Sequence, residues 1–202
     1  MAYQHCYNLT GSPVCGDNVI NMYQTYYHCY NLTGSPVCGN NVIDMSDTYR
    51  ACYNLIGKPV CGPNVINMSN TYYYCNSLSG GTQLWASNNI NSVKNCFYGK
   101  NNANIYTIYA YPNTTTWNTI LQNGTNSLVG TPITWTEDPT NYCYYNTTYN
   151  IYIKQLRNIE DVLIDFTYTE NNGMYRITGW KGTLNGITST ELYVPGDPRI
   201  IL

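Results

Sequence analysis

The sequence predicts a mainly β protein, with three small disulfide-stapled hairpin-plus-helix repeats followed by an antiparallel β-sandwich or jelly roll. Three observations support this prediction. They are a tandem repeat of 23 residues, nine cysteines of which six alternate at spacings of 9 and 14 in the repeats, and period-two alternation of apolar residues further along the chain. They divide the 202 residues into a repeat region, 1–80, and a β-sandwich domain, 81–202.

The repeat region contains three near-identical units, 6–28, 29–51 and 52–74, and a partial fourth copy that starts at Cys75. Fifteen of the 23 positions are identical in all three units, and most of these hold scaffold residues such as Cys, Gly, Pro, Leu and Met. Charged residues fall only at the variable positions. A unit this small cannot bury a core alone, so we expect a structural array with no chemistry repeated along it.

Each unit is predicted to form a small hairpin followed by a short helix. Gly-x-Pro-Val-Cys-Gly and the following Asn-Val-Ile indicate a turn, a short strand and a tight return. In the second half, Met45, Tyr49, Cys52 and Leu55 recur at helical spacing on one face. Gly57 stands where a C′ glycine would end the helix.

The cysteine content predicts disulfides and an oxidising compartment. Zinc is disfavoured because no C-x2-C pair occurs and because His5 and His28 do not recur in the second and third units. An odd total leaves at least one thiol unpaired within the chain. The disulfide candidates are all nine cysteines: Cys6, Cys15, Cys29, Cys38, Cys52, Cys61, Cys75, Cys96 and Cys143.

Part of the repeat resembles a known family. Pro13-Val14-Cys15-Gly16 and Asn18, with Asn67-Met68-Ser69-Asn70 before a cysteine in the third unit, are similar to the core of Kazal-type and follistatin-like modules. The resemblance covers residues 6–75. It implies that Cys6, Cys15 and Cys29 take the family's second, third and fifth cysteine positions.

The resemblance also implies a specificity site for a serine protease, at Asn8, Asn31 and Asn54. The chain departs from the family at its fourth cysteine, which is replaced by tyrosine, and it has no first or sixth cysteine, so the disulfides must be rewired. Two registers stay open: Cys6–Cys15, Cys29–Cys38 and Cys52–Cys61, or Cys15–Cys29, Cys38–Cys52 and Cys61–Cys75. The second register leaves Cys6 free to bond a neighbouring subunit.

The region after Gly81 shows the alternation of β-strands. Strands are predicted at Asn104–Tyr111 and Val162–Thr169, with Asn171-Asn172-Gly173 as a turn after the second. Asn185-Gly186 predicts a hairpin that joins Gly179–Leu184 to Ile187–Val194. A helix over Lys154–Ile164 is an alternative, and Cys96 with Cys143 would form this domain's disulfide. Shorter strands are expected at Ser92–Tyr98, Trp117–Gln122, Leu128–Trp135 and Tyr142–Ile153.

No constellation of residues predicts an enzyme, a cofactor site or a metal site. Both histidines lie in the repeat region, so the larger domain has no Ser-His or Cys-His pair. The carboxylates Glu137, Asp138, Glu160, Asp161 and Asp165 are expected to be solvated turn acids rather than a glycosidase pair. Core packing is the expected role of Trp85, Trp117, Trp135 and Trp180, with sugar stacking as the alternative.

Charge, the length of apolar runs and the glycosylation sequons bear on the protein's partners and location. Charged residues make up 10% of the chain and the net charge is −2, so nothing attracts nucleic acid or an anionic membrane over distance. No apolar run is long enough to span a bilayer. Residues 1–5 are too few and too polar for a secretory signal, so a signal was removed or the chain is delivered by assembly. Candidate N-glycosylation sites are Asn8, Asn31, Asn67, Asn113, Asn123 and Asn146.

These observations favour a structural or adhesive protein located outside the cell or on a cell or virion surface. We expect a non-enzymatic subunit of a surface fibre, pilus-like filament or virion fibre, which self-associates into a homo-oligomer or homopolymer because its surface carries little repulsive charge. Glycans are expected partners, and nucleic acid is not. The alternatives are a secreted Kazal-like serine protease inhibitor and a carbohydrate-binding module.

Overall fold

The computed structural model describes residues 2–78, 83–87, 89–99, 106–110, 115–123, 126–138, 143–155, 166–171 and 174–180. The described residues hold one helix, which agrees with a mainly β class. None of them forms a helix with the length and hydrophobicity to cross a membrane. The elements are β1 (Gln83–Trp85), β2 (Tyr106–Ala110), α1 (Thr115–Asn123), β3 (Thr136–Asp138), β4 (Cys143–Asn146), β5 (Ile151–Gln155), β6 (Phe166–Asn171) and β7 (Met174–Trp180).

The repeats are successive coils of one stack. Equivalent residues form parallel bridges from coil to coil: Asn21 with Asp44, Asp44 with Asn67, and Asn67 with Ser92. The N–H of Met22 donates to the carbonyl oxygen of Asp44 at 2.8 Å, and that of the equivalent Met45 donates to Asn67 at 2.9 Å. Each unit therefore satisfies its backbone against the neighbouring units, which is how repeat arrays without individual cores are stabilised.

The predicted hairpin-plus-helix unit is wrong. Residues 2–78 contain turns and isolated bridges but no helix and no hairpin within a unit. Asp47 and Ala51 have φ of 52° and 60°, a left-handed conformation that an α-helix cannot contain. The chain forms tight turns instead. In one of them the N–H of Cys52 donates to the carbonyl oxygen of Tyr49 at 3.0 Å. These successive turns point Met45, Tyr49 and Cys52 inward at a spacing that resembles a helical face.

A column of buried aromatic rings runs through the stack. Tyr26, Tyr49 and Tyr72 are at most 1% exposed, and Phe97 continues the column. Their rings stack face to face with centroids 5.5, 5.8 and 5.8 Å apart. Each phenol both accepts from and donates to one valine backbone, for example Tyr49 with the N–H and carbonyl of Val37 at 3.0 and 2.7 Å. The column thus buries large apolar area with its polar atoms satisfied.

Aliphatic and sulfur side chains form further columns beside the rings. Every position in them is 23 residues from its neighbour, so one pattern of small and large side chains repeats from coil to coil and packs without mismatch. The buried members are Met22, Met45, Met68, Cys29, Cys52, Cys75, Leu32, Leu55, Leu78, Val42 and Val65.

The stack continues past the predicted boundary at residue 80. The N–H of Asn70 donates to Lys94 at 2.9 Å, and that of Asn95 donates to Ser127 at 2.7 Å. Ser92–Tyr98 forms turns equivalent to those of the earlier coils, so the strand predicted there is wrong. The fourth coil contains two more residues than the others, because Asn67 pairs with Ser92 rather than with the residue 23 positions on.

A five-stranded mixed sheet follows the fourth coil in the order β1-β2-β5-β4-β3. β1 and β5 both pair in parallel with β2, whereas β3, β4 and β5 are antiparallel. β2 confirms the strand predicted at Asn104–Tyr111 over its described residues, and β4 with β5 replaces the single strand predicted at Tyr142–Ile153. An antiparallel sandwich or jelly roll is not confirmed, and it stays a prediction.

Two other predicted strands are wrong. Trp117–Gln122 lies in α1, because Trp117 and Ile120 share one helical face and are 2% and 1% exposed. Leu128–Trp135 is turn and irregular chain, and regular pairing begins only at β3. α1 packs into the same hydrophobic cluster as the repeat columns.

β6 and β7 form a separate antiparallel pair. Asn171 of β6 pairs with Met174 of β7, and β6 confirms the C-terminal part of the strand predicted at Val162–Thr169. The predicted turn at Asn171-Asn172-Gly173 falls mostly outside the described residues. The predicted helix over Lys154–Ile164 falls mostly outside the described residues. The Asn185-Gly186 hairpin lies wholly outside them.

Candidate functional site: an exposed aromatic face on the repeat stack

Three tyrosines form an exposed stack of rings, here called the tyrosine ladder: Tyr7, Tyr30 and Tyr53. Ring centroids are 5.0 Å apart at both steps, with interplanar angles of 24° and 18°. Tyr7 is 47% exposed and Tyr53 is 40% exposed. The ladder therefore differs from the buried column in that Tyr7 and Tyr53 are exposed and Tyr30 is half-buried.

Local turns place the ladder. In each Cys-Tyr-Asn-Leu segment the leucine N–H donates to the cysteine carbonyl, at 2.9 Å for Leu9 and Cys6 and at 3.1 Å for Leu32 and Cys29. The tyrosine is the second residue of this tight turn, and in the second and third units the flanking cysteine and leucine are buried in the packed columns. Because the coils stack at about the spacing of paired β-strands, the tyrosine rings meet face to face.

Two histidines lie beside the ladder. The Tyr7 hydroxyl is 3.2 Å from Nδ1 of His5, and the Tyr30 hydroxyl is 3.4 Å from Nδ1 of His28. The two imidazole rings lie 5.1 Å apart, edge to face. Burial lowers the pKa of His28, and the neighbouring His5 and Arg50 lower it further. A neutral imidazole at these positions is able to accept the phenolic proton.

The second unit, 29–51, has no histidine at the position that His28 takes in the first unit and has Ala51 instead. It also has Arg50 where the neighbouring units have Tyr27 and Tyr73. The Arg50 guanidinium lies 5.5 Å from the centroid of Tyr27 and 4.5 Å from that of Tyr73, so it stacks between two aromatic rings. Arg50 also pairs with Asp47 at 3.1 Å.

The asparagines of the Kazal resemblance, Asn8, Asn31 and Asn54, are exposed next to the ladder. Nδ2 of Asn31 donates to the carbonyl of Tyr7 at 3.0 Å, and Nδ2 of Asn54 donates to Oδ1 of Asn31 at 3.4 Å. These contacts join neighbouring coils. A glycan on Asn31 would be attached at the nitrogen that makes the first of them.

The repeat cysteines form two columns. In one, the thiols of Cys29, Cys52 and Cys75 donate to carbonyl oxygens of the preceding coil at 3.0, 3.0 and 2.9 Å. The other column contains Cys15, Cys38 and Cys61. All nine cysteines are thiols in the structure, so neither predicted register is formed in it, nor is a Cys96–Cys143 bond. The disulfides stay a prediction.

Burial makes the inner thiols weak nucleophiles. It raises the pKa of Cys29 to about 11 and the pKa values of Cys38 and Cys61 to about 12. Since the thiolate is the reactive form, these cysteines carry no nucleophilic chemistry near neutral pH. Cys6 is exposed and is therefore the repeat cysteine most accessible to reagents.

The remaining predicted residues do not come together into a site. Of the carboxylates, Glu137 and Asp138 lie on the edge strand β3, where Glu137 accepts a hydrogen bond from Tyr144, and the other three lie outside the described residues. Among the sequons, Asn146 is buried and donates to Thr134 at 2.6 Å, and Asn67 accepts from the N–H of Ser69 at 3.0 Å.

The described residues contain no group of three or more His, Cys, Asp or Glu side chains placed to hold a metal ion. A comparison with models of protein families, with curated proteins and with solved structures finds no match for this chain. The exposed aromatic face was not predicted from the sequence. Its signal there is a tyrosine that recurs every 23 residues, at a position that the helical pattern of apolar residues does not include.

Proposed function

We propose that the protein is a structural or adhesive extracellular protein, a subunit of a surface fibre, a pilus-like filament or a virion fibre. The observation that supports this best is the in-register stack of coils, in which equivalent backbone groups and side chains meet their copies along one axis. A stack of this kind forms a rod whose length grows with each repeat. It presents regular surfaces and no assembled reaction site among the described residues.

The low charge of the chain fits such a role. With 10% charged residues, subunits that meet side by side experience little electrostatic repulsion. Within the proposal, the residues after the stack form the predicted β-sandwich, through which subunits associate by edge-strand pairing.

The strand β1 is a suitable edge for this pairing. Among the described residues, β1 is the outer strand of the sheet and pairs with β2 alone. Because Ala86 donates its N–H to Tyr109 of β2, backbone alternation directs the N–H of Gln83 away from β2. The opposite edge, β3, carries Glu137 and Asp138, and charge is a common means of preventing edge pairing.

The test is a concentration series of the purified full chain, followed by light scattering and electron microscopy. We expect the average mass to rise with concentration, and Gln83→Pro to suppress the rise because proline removes the outward N–H. Gln83→Ala keeps that N–H and is the matched control. A chain that stays monomeric at every concentration tested would contradict the fibre proposal.

The two alternatives have weaker support from geometry. A protease inhibitor presents its specificity residue on an exposed, preorganised loop, whereas Asn31 lies in a tight turn packed against the neighbouring coils. Sugars bind to exposed aromatic faces, whereas the ladder rings cover one another's faces. Tight stoichiometric inhibition of a serine protease, or glycan retention lost on Trp→Ala substitution, would favour these alternatives.

A further inference from the structure

We propose that the tyrosine ladder is a modification site, at which a one-electron oxidant such as a haem peroxidase with hydrogen peroxide cross-links tyrosines of successive coils. The bonds formed would be Tyr7–Tyr30 and Tyr30–Tyr53. The site goes beyond the proposed fibre role and does not require it. It would convert a stack held by hydrogen bonds into one closed by carbon–carbon bonds.

The ladder rings are both close together and accessible. Tyrosyl radicals couple through their ortho carbons, and coupling needs two rings close together for the lifetime of the radicals. The ladder holds each pair of rings 5.0 Å apart and nearly parallel. Tyr7 and Tyr53 are 47% and 40% exposed, so an oxidant can reach them.

A histidine nitrogen that can act as a base lies close to the hydroxyl of Tyr7 and to that of Tyr30. Partial desolvation in the ladder, together with the phenols of Tyr53 and Tyr7, raises the pKa of Tyr30. Tyr30 is therefore a neutral phenol, and its oxidation must release a proton. Nδ1 of His28 lies 3.4 Å from this hydroxyl, and Nδ1 of His5 lies 3.2 Å from that of Tyr7. General bases at hydrogen-bond distance assist such a transfer.

Electrons and protons balance in the cross-linking reaction. Each of two tyrosines loses one electron to the oxidant and its phenolic proton to the neighbouring base or to water. The two radicals join through one ortho carbon each, and those carbons then release their hydrogens as protons while the two phenol groups re-form. Each cross-link thus removes two electrons and two protons, and one hydrogen peroxide takes them up and becomes two water molecules.

Other tyrosine pairs provide internal comparisons. The buried column has similar ring spacing, but its hydroxyl groups are bonded to valine backbone and closed to an oxidant. Tyr73 and Tyr98 stack at 4.6 Å, but Tyr74 packs edge-on against both rings. Tyr145 and Tyr152 stack across β4 and β5 at 5.8 Å, a longer separation than in the ladder.

The test treats the dilute full chain with a haem peroxidase and limiting hydrogen peroxide. Cross-links are read by dityrosine fluorescence, by intact mass, which falls by two hydrogens per bond, and by mapping of linked peptides. We expect monomeric product with Tyr7–Tyr30 and Tyr30–Tyr53 bonds. Tyr30→Phe should abolish both bonds and keep the ring stack, whereas Tyr145→Phe should leave them unchanged.

Two further measurements separate the ladder from chance reactivity. His28→Ala, which places the residue of the second unit in the first, should slow the oxidation of Tyr30 while circular dichroism stays unchanged. In urea the preference for the ladder pairs should disappear, because they are 23 residues apart in sequence. Cross-links that map only to other pairs, that form only between chains, or that survive Tyr30→Phe would overturn the proposal.

Discussion

The stack of repeats and the region that follows it differ in whether the polar atoms of buried aromatic side chains have hydrogen-bond partners. In the stack, each buried tyrosine bonds both polar groups of one valine, and the same arrangement recurs from coil to coil. In the region after the fourth coil, Nε1 of Trp117 and of Trp135 is buried with no partner among the described residues. A repeated coil reuses one satisfied arrangement, whereas the non-repeated region must satisfy each group separately.

The first prediction compares one chemical change in both regions. Tyr49→Phe leaves the half-buried N–H and carbonyl of Val37 without their partner, at a cost of about 1–3 kcal/mol. Tyr49→Ala also removes the central ring of the column and should cost about 3–5 kcal/mol. Tyr145→Phe, on the half-buried ring pair of the sheet, should change the free energy of unfolding by less than about 0.5 kcal/mol.

Urea unfolding of the three variants and the parent chain measures these differences. Equal losses from Tyr49→Phe and Tyr145→Phe would show that the valine hydrogen bonds do not stabilise the stack.

The second prediction concerns how closely the coils approach one another. Gly34 has φ +91°, and a Cβ there would lie 2.9 Å from Cα of Ser12 in the preceding coil. Gly11 has nearly the same φ, +88°, but a Cβ there would meet nothing within 4 Å. Gly11→Ala should therefore cost only the left-handed strain, about 1–2 kcal/mol, and Gly34→Ala should cost more because the coils must also separate.

Thermal and urea unfolding of both variants measure the difference. If Gly34→Ala is no more destabilising than Gly11→Ala, the coils have more room at this corner than the structure gives them.

The sequence predicted that residues 6–74 form a repeated structure, because 15 of the 23 positions are identical in all three units. It did not predict the coil. The left-handed positions that shape each turn hold Gln24, Asp47 and Asn70 in successive units, so no glycine marks them. The inward-facing residues are spaced by three and four, which is also the pattern of a helical face. The backbone pairing partners are 23 residues away, and a local periodicity cannot detect them.

The second region was predicted less completely for a related reason. β2 alternates along its length and was found, whereas α1 begins with β-branched threonines and was taken for a strand. Its helical character depends on packing Trp117 and Ile120 into the cluster, which is a tertiary effect. The tyrosine ladder also went unrecognised, because its geometry exists only once the coils are stacked.

The third prediction concerns a position at which the repeats differ. Arg50 stacks between Tyr27 and Tyr73, so Arg50→Ala should lose about 0.5–1 kcal/mol. Arg50→Tyr restores the residue that the units on either side use and should keep the free energy of unfolding within about 0.5 kcal/mol of the parent. A larger loss from Arg50→Tyr than from Arg50→Ala would show that the stack needs a cation between these rings.

The smallest expected effect is a dependence of stability on pH that belongs to the stack alone. Burial, with the nearby His5 and Arg50, lowers the pKa of His28 below its usual value of 6.5, so between that lowered pKa and 6.5 the unfolded chain binds more protons than the folded chain. The stabilising contribution is complete above pH 6.5 and is lost as the pH falls through the folded-state pKa. His28→Ala, whose residue the second unit already has at this position, should flatten that part of the curve of unfolding free energy against pH. An unchanged slope in this variant would assign the pH dependence to groups other than His28.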